Sequence, residues 1–216
     1  MNSASDWFKS ATKKFECGDY QGVISDLTEA IGLKPDYVDA YISRGLARYE
    51  LGDYEFALID LSKAIELKPD NAEAYFWRGN VKGRFSDFKG AIKDNTKAID
   101  LKSDYVGAYF NRGLSKSRLK NYHEAISDFT KVIQLKPEHA EAYCQRGIAT
   151  TLLKGAWFAI GDLNKAIELK PQYAEAYYMR GFSQIAISER KKALIDFLNA
   201  KELGFNVDQE LLDKCR

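Results

Sequence analysis

Residues 38–71 read VDAYISRGLARYELGDYEFALIDLSKAIELKPDN. Apolar residues return every three or four positions on both sides of Gly52-Asp53, the period of a helix face and not the alternation of a strand. Gly52 suits the left-handed position that closes a first helix, Asp53 suits an N-cap accepting backbone N–H bonds, and Pro69 ends the second helix. The stretch is a helical hairpin, with helices predicted near 38–51 and 54–67.

A shift of 34 residues finds the same pattern again. Tyr41 and Gly45 return as Tyr75 and Gly79, Tyr109 and Gly113, Tyr143 and Gly147, Tyr177 and Gly181, and, upstream, as Trp7 and Ala11. The repeats are 4–37, 38–71, 72–105, 106–139, 140–173 and 174–207, and 208–216 continues the phase with Leu211 and Cys215 as the start of a capping helix. Each hairpin buries its apolar face only against its neighbours, so one all-helical solenoid over 4–207 is expected. The departures carry their own expectations. Asn95 and Ser103 make repeat 3 the most loosely packed, Asn121 and Glu124 form a capping box, and Trp157 fills the place of a missing turn tyrosine. Gly45, Gly79, Gly113, Gly147 and Gly181 are expected to lie opposite Ala57, Ala91, Ala125, Ala159 and Ala193 so that paired helices approach closely.

A 34-residue helix-turn-helix with aromatic, Gly, Tyr, Ala, aromatic and Pro at these offsets closely resembles the tetratricopeptide repeat (TPR). The Arg before each Gly, where the family usually has Leu, resembles an Arg-Gly type found in bacterial TPR proteins. The resemblance implies a right-handed α-solenoid whose first helices line a concave groove for extended or helical peptides. It assigns that groove to the second, fifth, sixth, ninth, twelfth and thirteenth residues of each repeat.

Composition narrows the function. Lys plus Arg number 32 against 31 Asp plus Glu, a net charge of +1, which supplies no overall attraction for nucleic acid or an anionic membrane. Cys17, Cys144 and Cys215 show no CxxC or metal-ligand spacing and read as reduced thiols in a cytoplasmic protein. No apolar run has the length of a signal peptide or a membrane span. GxxxxGK[ST], GxSxG, HExxH and GxGxxG are missing, and His123 and His139 are expected on solvated surface, so no catalytic residue, cofactor or metal is expected.

Two charged offsets recur: Arg44, Arg78, Arg112, Arg146 and Arg180 in first helices, and Asp26, Asp60, Asp94, Asp128, Asp162 and Asp196 in second helices. Repeat 1 has Ser10 in place of the Arg, and the tail supplies Lys214. This end-counting pairs each Asp with the cation 18 positions later, Asp26 with Arg44 through Asp196 with Lys214, as a ladder between repeats.

The fifth and ninth offsets give a stripe from Phe8, Thr12, Ile42 and Leu46 through Phe76, Asn80, Phe110 and Leu114 to Cys144, Ile148, Tyr178 and Phe182. Glu16, Asp39 and Glu50 make its first third acidic. Trp77, Asn80, Arg84, Asn111 and Arg118 make the middle basic and amide-rich, and Ile148 and Phe182 belong to an apolar last third. The spacing of Asn80 and Asn111 resembles a carboxylate clamp, but Phe76, Glu141 and Gln145 replace its cations. The predicted function is a non-catalytic adaptor that binds a peptide with acidic and apolar residues. The alternative is self-assembly through terminal faces, the Trp157-Phe158 pair or the Phe56-Ile59 patch.

Overall fold

The computed structural model describes residues 3–215. Among them the chain is helix after helix with no strand. The order is α1 Ala4–Glu16, α2 Tyr20–Leu33, α3 Val38–Glu50, α4 Tyr54–Leu67, α5 Ala72–Arg84, α6 Phe88–Leu101, α7 Val106–Arg118, α8 Tyr122–Leu135, α9 Ala140–Lys154, α10 Ile160–Leu169, α11 Ala174–Ala186, α12 Arg190–Glu202 and α13 Gln209–Lys214. The 38–71 hairpin thus begins and ends its helices within a residue of the expected places. Two compact units divide the chain, one running to Asn111 and one starting at Arg112, a boundary that falls inside α7.

The first unit is held by a row of small apolar clusters between consecutive helices. Val23 and Leu27 with Phe8 and Phe15 make one, Ile42, Leu61 and Val81 with Tyr49, Tyr54 and Trp77 another, and Ile99 and Ala108 with Phe76 and Tyr105 a third. In the second unit Cys144 and Leu163 centre one cluster, and Phe197, Val207, Leu212 and Cys215 the last, to which α13 contributes. The five hairpins from α3–α4 to α11–α12 repeat one close approach, in which the mid-helix glycine faces the residue four positions beyond the alanine expected opposite it. A Cβ on Gly45 or Gly147 would stand 3.0 Å from Leu61 or Leu163, and on Gly113 or Gly181 2.8 or 2.7 Å from Phe129 or Phe197. Asn95 takes this place opposite Gly79. It is fully buried, its Nδ2 donating to Ala91 O at 2.9 Å, so α5–α6 is closely packed there, contrary to the expectation from sequence.

The ladder closes inside hairpins, not between them. In Arg44–Asp60, Arg78–Asp94, Arg112–Asp128, Arg146–Asp162 and Arg180–Asp196, Nε and Nη2 each donate to one carboxylate oxygen at 2.6–3.0 Å. The arginine adjoins the glycine of closest approach, so it reaches the partner helix of its own hairpin, 16 residues on. Asp26 is held by Lys14 at 2.8 Å and Lys214 lies on Glu210, which removes both ends of the 18-residue register. Neighbouring hairpins are stitched by neutral groups instead: the third nitrogen of Arg44, Arg146 and Arg180 donates to Thr28, Thr130 and Asn164 at 3.0, 3.1 and 2.8 Å. Stacking over Tyr41, Tyr75, Tyr143 and Tyr177 holds four of these guanidiniums flat.

Turns and caps follow local chemistry. Gly52 sits at φ +83° as expected, but Ser86, Lys120 and Ser188 are forced to +59°, +63° and +67° at the equivalent turns. Asp19 and Asp87 accept from the N–H of Gly22 and Gly90 at 2.9 Å, whereas Asp53 and Asn121 make no side-chain cap bond. Asp19 and Asp87 fold over Gly22 and Gly90, which have no Cβ for the carboxylate to meet. The capping box expected at Asn121 is therefore replaced by one at Ser3 and Asp6. At repeat 5, α9 runs on to Lys154, Gly155 turns at φ +103°, and a short 3-10 segment, Ala156–Ala159, precedes α10. Trp157 does not fill the tyrosine's place. It is 69% exposed, and Phe158 beside it 65%.

Candidate functional site

The first helices of the first unit, α1, α3, α5 and the start of α7, carry most of the predicted binding face. Trp77 on α5 is half-buried, its ring 5.9 Å from Tyr49 and 5.1 Å from Phe76. Tyr49 stands on α3, the first helix of the preceding hairpin. Its hydroxyl accepts from Arg84 Nε at 3.0 Å, and the Arg84 guanidinium lies 5.4 Å over the Tyr49 ring and 5.8 Å over Tyr54. That hydrogen bond and the ring charge hold Arg84 above the usual arginine range, so it stays cationic at every accessible pH. Arg84 is exposed and, among the described residues, pairs with no carboxylate, unlike the ladder arginines. It is an oriented cation with its outer edge open.

Asn80 and Asn111 meet, the Asn111 Nδ2 donating to Asn80 Oδ1 at 2.5 Å. Nearer the N-terminus, between α1 and α3, Phe8, Thr12, Phe15, Glu16, Ser43 and Leu46 line a cleft of about 330 Å³. The fifth-offset stripe is only partly surface. Ile42 and Cys144 are buried core, and burial pushes the Cys144 thiol up to about 12. Phe8 and Phe76 stack on Tyr37 and Tyr105 at 5.0 and 4.8 Å. The residue before each first helix alternates in use: Tyr37 and Tyr105 stack, while Asn71 and His139 cap, accepting from Ala74 and Ala142 N at 2.9 and 3.3 Å. His139 is accordingly half-buried and not on solvated surface, and burial lowers its pKa; His123 is exposed as expected.

The other predicted residues belong to the second unit. Arg118 is exposed at the end of α7, Ile148 packs on the cluster around Cys144 and Leu163, and Phe182 is 40% exposed while stacking edge-on to Tyr178 and Phe197. Thus Trp77 and Arg84 are brought together through Tyr49, and Asn80 joins Asn111. Tyr49 is the member of this group that sequence reading passed over, although it stands at a twelfth offset, already assigned to this surface.

Two family models, described as "TPR repeat" and "Tetratricopeptide repeat", match residues 45–84 and 106–139. With the six-fold hairpin period, this decides the family. The chain is a tetratricopeptide repeat protein. No curated protein is significantly similar to it in sequence. Among solved structures similar to this chain, the MamA protein is 26% identical over 80% of this chain and 94% of its own, with a TM-score of 0.71. YrrB, described as a TPR protein with an unusual peptide-binding site, is 23% identical over 87% and 96%, TM-score 0.72. A tetratricopeptide repeat protein from Parabacteroides merdae is 23% identical over 98% and 84%, TM-score 0.70. These likenesses place the TPR chain in the all-α repeat-solenoid class. No described helix is long and apolar enough to cross a membrane.

Proposed function

We propose that this TPR protein is a non-catalytic protein-interaction scaffold that holds a peptide segment of a partner against the first helices of its N-terminal unit. The observation that carries this reading is Arg84, the cation that the ladder does not use. It is pinned by Tyr49 and Tyr54 beside Trp77, with the Asn80–Asn111 amide pair on the same face. Such a group favours a ligand with an acidic side chain or free carboxylate next to apolar residues: Arg84 takes the charge, the amides bond the peptide backbone, and Trp77 and the cleft beside Phe8 and Leu46 take apolar side chains. The peptide-binding description of YrrB, a chain of the same fold, is consistent with it.

The test is an array of peptides with free carboxylate ends and mixed acidic and apolar residues, followed by titration of the best binder. Arg84→Glu is expected to weaken binding by about 1.5–3 kcal/mol, the size of a charge-assisted hydrogen bond, and affinity is expected to fall with salt. Lys131→Glu, on a second helix, is the control. If it weakens binding as much as Arg84→Glu, the first-helix face is not the site.

The exposed Trp157, Phe158, Phe56 and Ile59, at 69%, 65%, 56% and 62%, support a second reading as a self-assembling scaffold. Light scattering over a hundredfold range of concentration separates the two, since only self-assembly makes the mass rise with concentration.

A further inference from the structure

In α3, α5 and α7 a second cation, four residues after the ladder arginine, joins it on the carboxylate. Arg48, Lys82 and Lys116 reach Asp60, Asp94 and Asp128 at 2.6, 2.7 and 2.7 Å. The last two hairpins break this rule, with Thr150 and Gln184 at that place. At Thr150 the carboxylate is relieved by solvent, for Asp162 is 18% exposed. Asp196 has no such relief. It is as buried as the doubly paired aspartates, at 2%, yet holds Arg180 alone.

Three further observations meet at this spot in the second unit. Gln184 is buried, with 8% exposure, and its Oε1 has no hydrogen-bond partner. Both Gln184 and Asp196 line a cavity of about 740 Å³ bounded by α10, α11 and α12. The walls are of two kinds: Ile160, Ile187, Ile195 and the exposed Trp157 are apolar, and Glu189 stands among them. The other charges facing the cavity are already matched, Arg180 on Asp196 and Asn164, and Lys192 on Glu189 at 3.2 Å. Asp26 also holds a single cation, Lys14, but it does not line the cleft beside Phe8 and Leu46, so the coincidence belongs to Asp196.

We infer that this cavity is a receptor for one basic side chain of a partner protein, a lysine or arginine that supplies the second cation which Gln184 omits. The cationic head meets Asp196 and the unpartnered Gln184 Oε1, and the methylene stem lies along Ile187, Ile195 and the Trp157 ring, which also attracts the charge by its π face. The site lies among α10, α11 and α12 and shares no residue with the Arg84 group, so failure of the groove reading leaves it standing.

The experiment titrates the isotope-labelled full chain with the peptide acetyl-Leu-Lys-Leu-amide and with its norleucine isostere. Signals of the Trp157 indole N–H and the Gln184 side-chain amide are expected to move with the lysine peptide, and the norleucine peptide to bind about tenfold or more weakly, the loss of one charge-assisted bond. Gln184→Lys, which installs the residue found at Lys82 and Lys116, is expected to abolish binding while raising Tm. Trp157→Ala is expected to weaken binding with Tm unchanged. Equal affinity for the two peptides, no movement of these signals, binding retained in Gln184→Lys, or a lowered Tm in that variant would each overturn the inference. So would movement of the same signals on diluting the protein alone, because a second copy would then be the occupant.

Discussion

Hairpins α3–α4 and α11–α12 share a period, a close-approach glycine and a bidentate Arg–Asp pair, yet they bury charge differently. Asp60 is gripped by Arg44 and Arg48, Asp196 by Arg180 alone, and both carboxylates are 2% exposed. The difference teaches that from α3–α4 to α11–α12 the Arg–Asp pair is constant, while the second cation is adjustable. Where it is withdrawn without compensation, a cavity and an unpartnered acceptor stand in its place.

The largest expected effect separates these two carboxylates. Asp60→Ala leaves two part-buried cations unpaired and is expected to cost about 3–5 kcal/mol; Asp196→Ala strands one and is expected to cost less, as read by denaturant unfolding. A double-mutant cycle sharpens the point: Arg44→Ala with Asp60→Ala is expected to be strongly non-additive, and Arg44→Ala with Asp26→Ala nearly additive. Strong coupling in the second cycle would restore pairing between repeats.

Next in size are the glycines. Gly181→Ala meets the Phe197 ring at 2.7 Å, and Gly45→Ala meets the more yielding Leu61 at 3.0 Å. Overpacking of this kind costs about 1–3 kcal/mol, partly offset by the helix propensity of Ala, so only Gly181→Ala is expected to lower Tm clearly. At the turns the sign reverses. Lys120→Gly and Ser188→Gly relieve left-handed backbone and are expected to stabilise by about 1 kcal/mol, whereas Gly52→Ala does the opposite.

The smallest effect is one of pH. Burial lowers the His139 pKa in the folded chain, so the unfolded chain takes up the proton first. His139 therefore adds stability above its unfolded pKa of about 6.5, and that contribution is lost as pH falls through this value toward the folded one. A His139→Asn variant, which keeps a capping side chain, is expected to show a shallower fall in Tm between pH 7 and 5.5 than the parent.

Helix positions were legible because period and punctuation are local: Gly52, Asp53 and Pro69 mark the ends of α3 and α4 on their own. The choice of ladder partner was not, since offsets of 16 and 18 recur equally often and only three-dimensional approach separates them. The end residues Ser10 and Lys214 favoured the wrong one, because Lys14 and Glu210, each one helical turn away, supply the missing partners. The same limit hid the missing caps at Asp53 and Asn121, where the residue type suits an N-cap but the folded side chain makes no such bond. At the candidate site, Arg84 and Trp77 were legible as residue types, but Tyr49, which orients both, lies 35 residues before Arg84 and is found only by knowing which helices touch.

The closure of each Arg–Asp pair inside its own hairpin also governs how the stack comes apart. An end hairpin that frays takes its own cation and carboxylate with it, so the newly bared neighbour keeps its ion pair and loses only a bond with a neutral group, as Arg44 loses Thr28 at one end or Asn164 loses Arg180 at the other. Unravelling then proceeds one hairpin at a time at modest electrostatic cost, and amide exchange is expected to quicken in steps of whole hairpins from both termini inward.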